Sequence, residues 1–279
     1  MSRPVDATGV AFAGTRAPRR IVSLIPSTTE LLCDLGLADA IAGITVYCRE
    51  PGAVTRTKRR IGGEKDPDLD AIRALAPDLV IANIEENVAA HVETLRSWDI
   101  PVWVAYPRTV DGALAMIRDL GEVTGTHVMA ARLLDDLRGR LAVVRETVRV
   151  RRAVPVFYAI WRAPYMTVGP DTYVHDVLAT CGGANVFGDA KTRYPVSPLE
   201  DVATRRPEVI LLPDEPFRFR AVHRRDFEPF TDVPAVRDGR IVLVDGKPFT
   251  WHGRRLADAL ELVPRLLHPD LPAARRASA

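Results

Sequence analysis

Any chemistry in this 279-residue chain has to come from a few aromatic rings set among arginines and carboxylates. Aromatic residues are only 6% of the composition, yet several gather in short polar stretches. These are Trp161-Arg162-Ala163-Pro164-Tyr165, Arg193-Tyr194-Pro195 and Pro248-Phe249-Thr250-Trp251-His252. Large flat side chains beside arginine and histidine suit a large, flat, partly anionic ligand. Some of these rings will instead cover the edge of a core. A second group is Ser27, Tyr47, the Glu85-Glu86-Asn87 run and Arg108. The ligand-binding candidates are therefore Ser27, Tyr47, Glu86, Arg108, Trp161, Tyr165, Tyr194, Phe249, Trp251 and His252.

Catalytic and metal chemistry find no comparable support. No nucleophile–base pair, P-loop or zinc motif is present, so no catalytic residue is assigned. His91, His127, His175, His223, His252 and His268 are scattered and form no ligand motif, which leaves no metal site. Only His252 falls in a candidate stretch. Cys33, Cys48 and Cys181 are an odd set without CxxC spacing, which argues against a disulfide framework. Cys33 and Cys181 sit in apolar helical contexts and are expected to be buried thiols.

The totals exclude other classes. A hydrophobic content of 47% with 27% charged residues is that of an ordinary globular protein. The net charge of +2 gives no push toward nucleic acid or a membrane. The first twenty residues lack the apolar core of a secretory signal, no lipoprotein cysteine is present, and no stretch is apolar enough to span a bilayer. As written the chain is expected in the cytoplasm; an upstream leader would move it to the periplasm or the cell surface.

The elements that must position these residues alternate between strand and helix. Ile21-Val22-Ser23-Leu24-Ile25 reads as a strand, and Pro26-Ser27-Thr28-Thr29-Glu30 as a Ser/Thr-capped helix start, with Gly36 closing the helix. Strands follow at 41–46, 79–82 and 101–105, with helices at 68–75 and 88–98 between them. Such alternation implies a mainly parallel sheet, and ligands on such sheets bind beyond the carboxyl ends of the strands. Residues 109–154 contain no proline. Within them Met129, Leu133, Leu137, Leu141, Val144 and Val148 recur at helical spacing over about 127–152, with Thr126 as N-cap.

The second half repeats the first. Leu69-Asp70-Ala71-Ile72 and Pro77-Asp78-Leu79-Val80-Ile81 align with Leu199-Glu200-Asp201-Val202 and Pro207-Glu208-Val209-Ile210-Leu211 at a constant offset of 130 residues (70 to 200, 77 to 207). A repeat this long means duplicated lobes rather than a solenoid. The expected division is a flexible lead-in at 1–19, an N-terminal α/β lobe at 20–108, a linking helical segment at 109–154, a C-terminal α/β lobe at 155–268 and a tail at 269–279. The fold class is α/β: two Rossmann-like lobes with mainly parallel central sheets, joined by one long backbone helix.

These residues resemble the helical-backbone class of periplasmic binding proteins, which serve ABC importers of cobalamin, haem and iron siderophores. The resemblance covers about residues 20–268. It is strongest from Arg20 through Leu31, across 67–81, and in Cys181-Gly182-Gly183-Ala184-Asn185-Val186-Phe187. The cobalamin-binding branch is the most similar. The resemblance implies a cleft between the lobes, Tyr47 packing on a corrinoid, and Tyr194 where that branch carries tryptophan. It implies that Asp70 and Glu200 pair with arginines of an ABC permease, although each also sits at a helix start, where an acid is favoured anyway. The tryptophan expected near Gly63 is absent.

The expected protein is thus a monomeric, non-enzymatic solute-binding protein. Its transported ligand is a cobalamin-like corrinoid first, a ferric siderophore or haem second, with no prosthetic group and no nucleic-acid partner. The alternative is a cytosolic metal- or tetrapyrrole-handling enzyme or chaperone on the same scaffold.

Overall fold

The structure, a computed structural model, describes residues 4–272 apart from 13 and 15. The chain divides into two compact units. The first comprises the chain up to Pro107, Asp111–Leu137 and His252–Arg254. The second comprises Arg108–Val110, Arg138–Trp251 and the chain from Arg255 onward.

The first unit opens with β1 (Ile21–Ser23), α1 (Pro26–Asp34), β2 (Ile41–Ile44), α2 (Gly52–Thr55) and β3 (Arg59–Arg60). It continues with α3 (Leu69–Ala74), β4 (Leu79–Asn83), α4 (Ala89–Ser97) and β5 (Val102–Ala105). The strands form one parallel sheet in the order β3-β2-β1-β4-β5. β1, β4 and β5 are buried along their whole length, as a parallel sheet covered on both faces requires. An aliphatic core of Val22, Leu24, Ile61, Ile72, Val80, Leu95 and their neighbours packs against the sheet.

The helical stretch is two helices, α5 (Val110–Thr124) and α6 (His127–Arg149). Gly125 separates them in a left-handed conformation (φ 71°). Thr126 N–H bonds back to the Gly121 carbonyl at 2.8 Å, a glycine-terminated helix end. Thr126 then occupies the N-cap position of α6, its carbonyl accepting from Ala130 N–H at 3.0 Å. The buried stripe of α6 is Ala130, Leu134, Leu137, Leu141 and Val144. It is rotated from the expected one at its start, where Met129 is 39% exposed. α6 passes from the first unit into the second at Leu137 and Arg138.

The second unit contains β6 (Val154–Trp161), β7 (Met166–Thr167), α7 (Tyr173–Thr180), β8 (Gly183–Asn185), α8 (Leu199–Thr204) and β9 (Val209–Pro213). α9 (Pro234–Arg237), β10 (Ile241–Val244), α10 (Lys247–Thr250) and α11 (Arg255–Leu267) complete it. β10, β9, β6 and β8 run parallel in that order, and β7 adds an antiparallel pairing along the far end of β6. The expected fold class is the one found: two α/β units with mainly parallel sheets and one long helix in the chain between them.

The offset of 130 holds in three dimensions. α3 and α8 begin at Leu69 and Leu199, and β4 and β9 at Leu79 and Val209. Both helices end on a non-glycine residue in the left-handed region before a proline, Ala76 (φ 45°) and Arg206 (φ 51°). Each bonds back three residues, to Arg73 and Ala203.

The lead-in differs from its expectation. Val5 pairs with Ala11 across a short antiparallel bridge. Asp6 is buried and accepts the N–H groups of Thr8, Val10 and Val104 at 2.8, 3.0 and 3.2 Å, and the Arg96 guanidinium at 2.6 Å. Phe12 sets its edge on Trp103 with ring centroids 6.4 Å apart. A buried carboxylate with this many donors fixes the segment onto β5, so residues 4–12 are packed rather than loose. The rest of the lead-in at 1–3, 13 and 15, and the tail from 273, lie outside the described residues. Before that point Asp270 accepts two bonds from Arg151 at 2.9 and 2.7 Å.

Candidate functional site

In the first unit the candidate residues stand on loops that leave the carboxyl ends of β1, β2 and β4. Ser27 lies in the first turn of α1, but the expected Ser/Thr cap is not formed. The N-cap is Ile25, with no capping side chain, and Ser27, Thr28, Thr29 and Glu30 are buried. The Thr29 hydroxyl instead donates to the Ile25 carbonyl and meets Ser23 Oγ, each at 2.9 Å. Pro26 at the helix start needs no cap partner for a backbone N–H it does not have.

Tyr47 follows β2 and is 57% exposed, a free ring face at the strand end. Its loop is held from below. Arg60 donates to the carbonyls of Thr45, Cys48 and Thr55 at 2.8, 2.6 and 3.0 Å. Cys48 beside it is buried, with Sγ 3.1 Å from Thr29 Oγ1 and 3.2 Å from Thr45 Oγ1. Burial raises its thiol pKa and outweighs the hydroxyls, so Cys48 is a packed thiol and not a nucleophile. Gly63 closes on the same ring: an added Cβ would lie 3.3 Å from Tyr47 Cε2 and only 2.2 Å from Asp66 Oδ1.

The loop after β4 is built on two buried asparagines. Asn87 Oδ1 accepts from Asn83 N–H at 2.8 Å, and Asn83 Oδ1 accepts from Glu85 N–H at 2.7 Å. Asn87 Nδ2 reaches the carbonyls of Leu24 at 3.3 Å and Glu64 at 3.1 Å, tying three loops together. This framework leaves Glu86 exposed. Desolvation, and next the charge of Glu85, raises its carboxyl pKa against the pull of Lys65. Desolvation, with Glu86 opposite, raises Glu64 in the same way. His252 also belongs to this unit. Burial drives its imidazole down to about 4, so it is neutral near pH 7.

The second unit carries the denser aromatic set. Trp161, at the end of β6, is 44% exposed and meets Phe217 edge-on at 5.6 Å. Phe217 packs on Phe219 at 4.8 Å, and Tyr165 lies on Phe219 at 6.0 Å and Phe227 at 5.6 Å. Asp226 locks the group. It accepts Arg162 Nε and Nη2 at 2.6 and 3.1 Å and the Tyr165 hydroxyl at 2.6 Å. The hydrogen bond from Arg162, over the cost of desolvation, holds the Asp226 carboxyl below its usual range. Tyr165 is therefore a brace with a committed hydroxyl, and Trp161 is the ring left facing solvent.

Tyr194 is 42% exposed, with the Arg193 guanidinium 5.7 Å from its ring centre. Asp171 bridges Arg193 and Arg108 at 2.9 and 2.7 Å, which places Arg108 with the second unit's loops. Trp251 is partly buried under Lys247, whose Nζ is 5.5 Å from the ring centre. Phe249 corrects an expectation. It is fully buried and packs on Tyr158 at 5.1 Å, because it lies inside the short helix α10 and points into the core. Among the described residues no group of three or more His, Cys, Asp or Glu is placed to hold a metal. Cys33 is only partly buried, unlike Cys181, and burial lifts the two thiols to about 11 and about 12.

Of the candidate residues, the first unit holds Ser27, Tyr47, Glu86 and His252, and the second holds Arg108, Trp161, Tyr165, Tyr194 and Trp251. Sequence reasoning missed Asn83, Asp226, Phe217 and Phe219. A signal existed for the last two: Phe217-Arg218-Phe219-Arg220 alternates with the period of an extended segment laid on a core.

Asp70 and Glu200 are both exposed and occupy the same position in the first turns of α3 and α8. Asp68 caps α3 by accepting from Ala71 N–H at 2.8 Å, whereas Pro198 begins α8 without a side-chain cap.

A family model described as periplasmic binding protein matches residues 21–248. The chain is 28% identical over 207 residues to the vitamin B12-binding protein of Vibrio campbellii, covering 74% of each chain. Its fold matches the crystal structure of the periplasmic vitamin B12 binding protein BtuF of Vibrio cholerae, with a TM-score of 0.80 at 24% identity. That match covers 90% of this chain and 96% of that one. It matches a periplasmic heme binding protein of Pseudomonas aeruginosa with a TM-score of 0.80 at 21% identity, over 92% and 95% of the two chains. No helix among the described residues is long and apolar enough to cross a membrane.

Proposed function

The chain belongs to the periplasmic binding protein family, and from that premise we propose that it is a solute-binding protein that carries a corrinoid to an ABC importer. The likeness to a vitamin B12-binding relative over three quarters of the chain supports this reading most. Tyr47 and Trp161 are its two exposed rings at strand ends, and each is backed by a framework that holds it still. Preorganised rings bind a flat macrocycle without first losing side-chain freedom. Glu86, Arg108, Tyr194, Trp251 and His252 are the further polar and aromatic candidates, with Ser27 in the first turn of α1. The reading includes no turnover and no prosthetic group.

Asp70 and Glu200 are the proposed contacts to permease arginines. Their equal place in two equal helices suits a pair of equal partners. The protein acts where its family acts, in the periplasm or at the cell surface, as a monomer; cell fractionation and size-exclusion chromatography check both points.

Haem is the second ligand, favoured by the equal structural match to a heme binding protein, and a ferric siderophore the third. A thermal-shift series with cobalamin, cobinamide, haem and a ferric siderophore separates them, because a ligand that binds only the native state raises its melting temperature. The largest rise is expected with a corrinoid. A rise with haem alone transfers the reading to haem, and a flat series ends it.

A further inference from the structure

The loop between β9 and α9 carries a feature that the ligand reading does not use. Phe217 and Phe219 face the aromatic cluster, so Arg218 and Arg220, which alternate with them, are turned to solvent. A 3-10 turn over Ala221–Phe227 then presents Arg224 and Arg225, also exposed. None of these four arginines pairs with a carboxylate among the described residues. The nearest acid in sequence, Asp226, is taken by Arg162 and Tyr165. Several other exposed arginines are paired, as Arg118 is with Asp119, Arg152 with Glu208 and Arg237 with Asp238. His223 lies in the same turn, and its Nδ1 accepts from Arg220 N–H at 3.0 Å. The loop is not loose: Phe219 and Phe227 are buried, and their rings brace it.

We propose that this braced arginine loop, residues 218–225, is a docking surface for an anionic lipid membrane. Four uncompensated guanidiniums within eight residues give a local positive field in a chain whose net charge is only +2. Guanidinium groups bind phosphate in a two-pronged geometry, and a lipid surface offers many phosphates without requiring a shaped pocket. Val222 stands 54% exposed inside the same stretch, an apolar side chain able to enter the headgroup layer. The phenylalanines face inward, so no free ring remains in the loop to stack on nucleobases, which disfavours single-stranded nucleic acid.

Vesicle flotation tests this, using the full chain with phosphatidylcholine vesicles and with vesicles of equal parts phosphatidylcholine and phosphatidylglycerol. Binding is expected only to the second, and it should fall steeply as salt is added. Each arginine near an anionic surface contributes about fivefold, so Arg224→Gln with Arg225→Gln should weaken binding about 25-fold. The charge-matched pair Arg132→Gln with Arg138→Gln on α6 should change it about twofold or less. Unchanged thermal unfolding of both variants confirms that the fold is kept. Absence of binding to anionic vesicles overturns the proposal, as does an equal loss in the two variants. Displacement by inorganic phosphate beyond its effect on ionic strength also overturns it, since that marks a free-anion site. Retention only on vesicles that carry a membrane protein assigns the surface to a protein partner instead.

Discussion

The two units are built on one plan and filled differently. β5-β4-β1-β2 in the first unit corresponds to β10-β9-β6-β8 in the second, and the chain from α3 to β4 repeats 130 residues later as α8 to β9. In each, an acid after a proline ties down the start of the strand beside it. Asp78 accepts the N–H groups of Arg19 and Arg20 at 2.7 and 2.9 Å, and Glu208 accepts the Arg152 guanidinium at 2.8 and 2.7 Å. The connections that follow β4 and β9 differ. Asn83 and Asn87 close a short polar turn in the first unit, while the second inserts residues 214–233 and packs their phenylalanines. The first core is aliphatic and its rim is polar; the second is aromatic in both. A conserved frame of backbone bonds therefore tolerates a change of contents, because the frame is set by helix ends and strand starts and not by core side chains.

The largest test of that difference is in the cores. Phe227→Ala should cost about 3–5 kcal/mol and Leu95→Ala about 2–5 kcal/mol. Phe227→Ala should reduce the near-ultraviolet circular dichroism more, because Phe227 holds Tyr165 and Phe157, whereas Leu95 has only Trp98 at the edge of its cluster. Equal spectral loss in both variants would mean that the aromatic set is not confined to one unit. Next come the tying acids. Asp78→Ala removes two charged bonds to backbone and should cost about 2 kcal/mol in urea unfolding. Glu208→Ala breaks a pair whose arginine is 69% exposed and should cost less than about 1 kcal/mol. The reverse order would show that the two acids are not equivalent in role.

Acid should act on the units in turn. His252 has its pKa lowered by burial to about 4. Its contribution to stability is complete above the unfolded value near 6.5 and declines as pH falls toward 4. Asp226 is held below its ordinary value near 3.9, so its contribution is complete above that value and is lost only at lower pH. His252→Gln should flatten the stability profile between about pH 6.5 and 4 and leave the loss below it in place. A profile unchanged by that substitution would remove His252 from the account. The smallest effect is also the most symmetrical. Ala76→Gly and Arg206→Gly relieve the same left-handed strain and should each stabilise the protein by up to about 1 kcal/mol. A gain in one and a loss in the other would break the equivalence of the two helix ends.

What was legible in the sequence was the frame. Pro77-Asp78 and Pro207-Glu208, the buried strand runs and the proline-free stretch each follow from short-range chemistry, and each predicts its element. What was not legible depended on contacts far apart in the chain. Asp226 reads as one acid among arginines until folding sets it against Arg162 and Tyr165, more than sixty residues away. Phe249 sits in a stretch that looks like a rim, and only the turn of α10 sends it inward. Ser27 carries the usual marks of a cap, but the helix starts at Pro26, two residues earlier than a Ser27 cap would start it. Asp6 turns an apparently loose lead-in into packed structure through donors that include Arg96 and Val104.

Equilibrium dialysis against cyanocobalamin and dicyanocobinamide, read by corrin absorbance, tests the central claim most directly. The wild-type chain should retain one corrinoid per molecule, and Tyr47→Ala and Trp161→Ala should each weaken retention while the melting temperature without ligand stays unchanged. A correctly folded chain that retains neither corrinoid at saturating concentration would contradict the account.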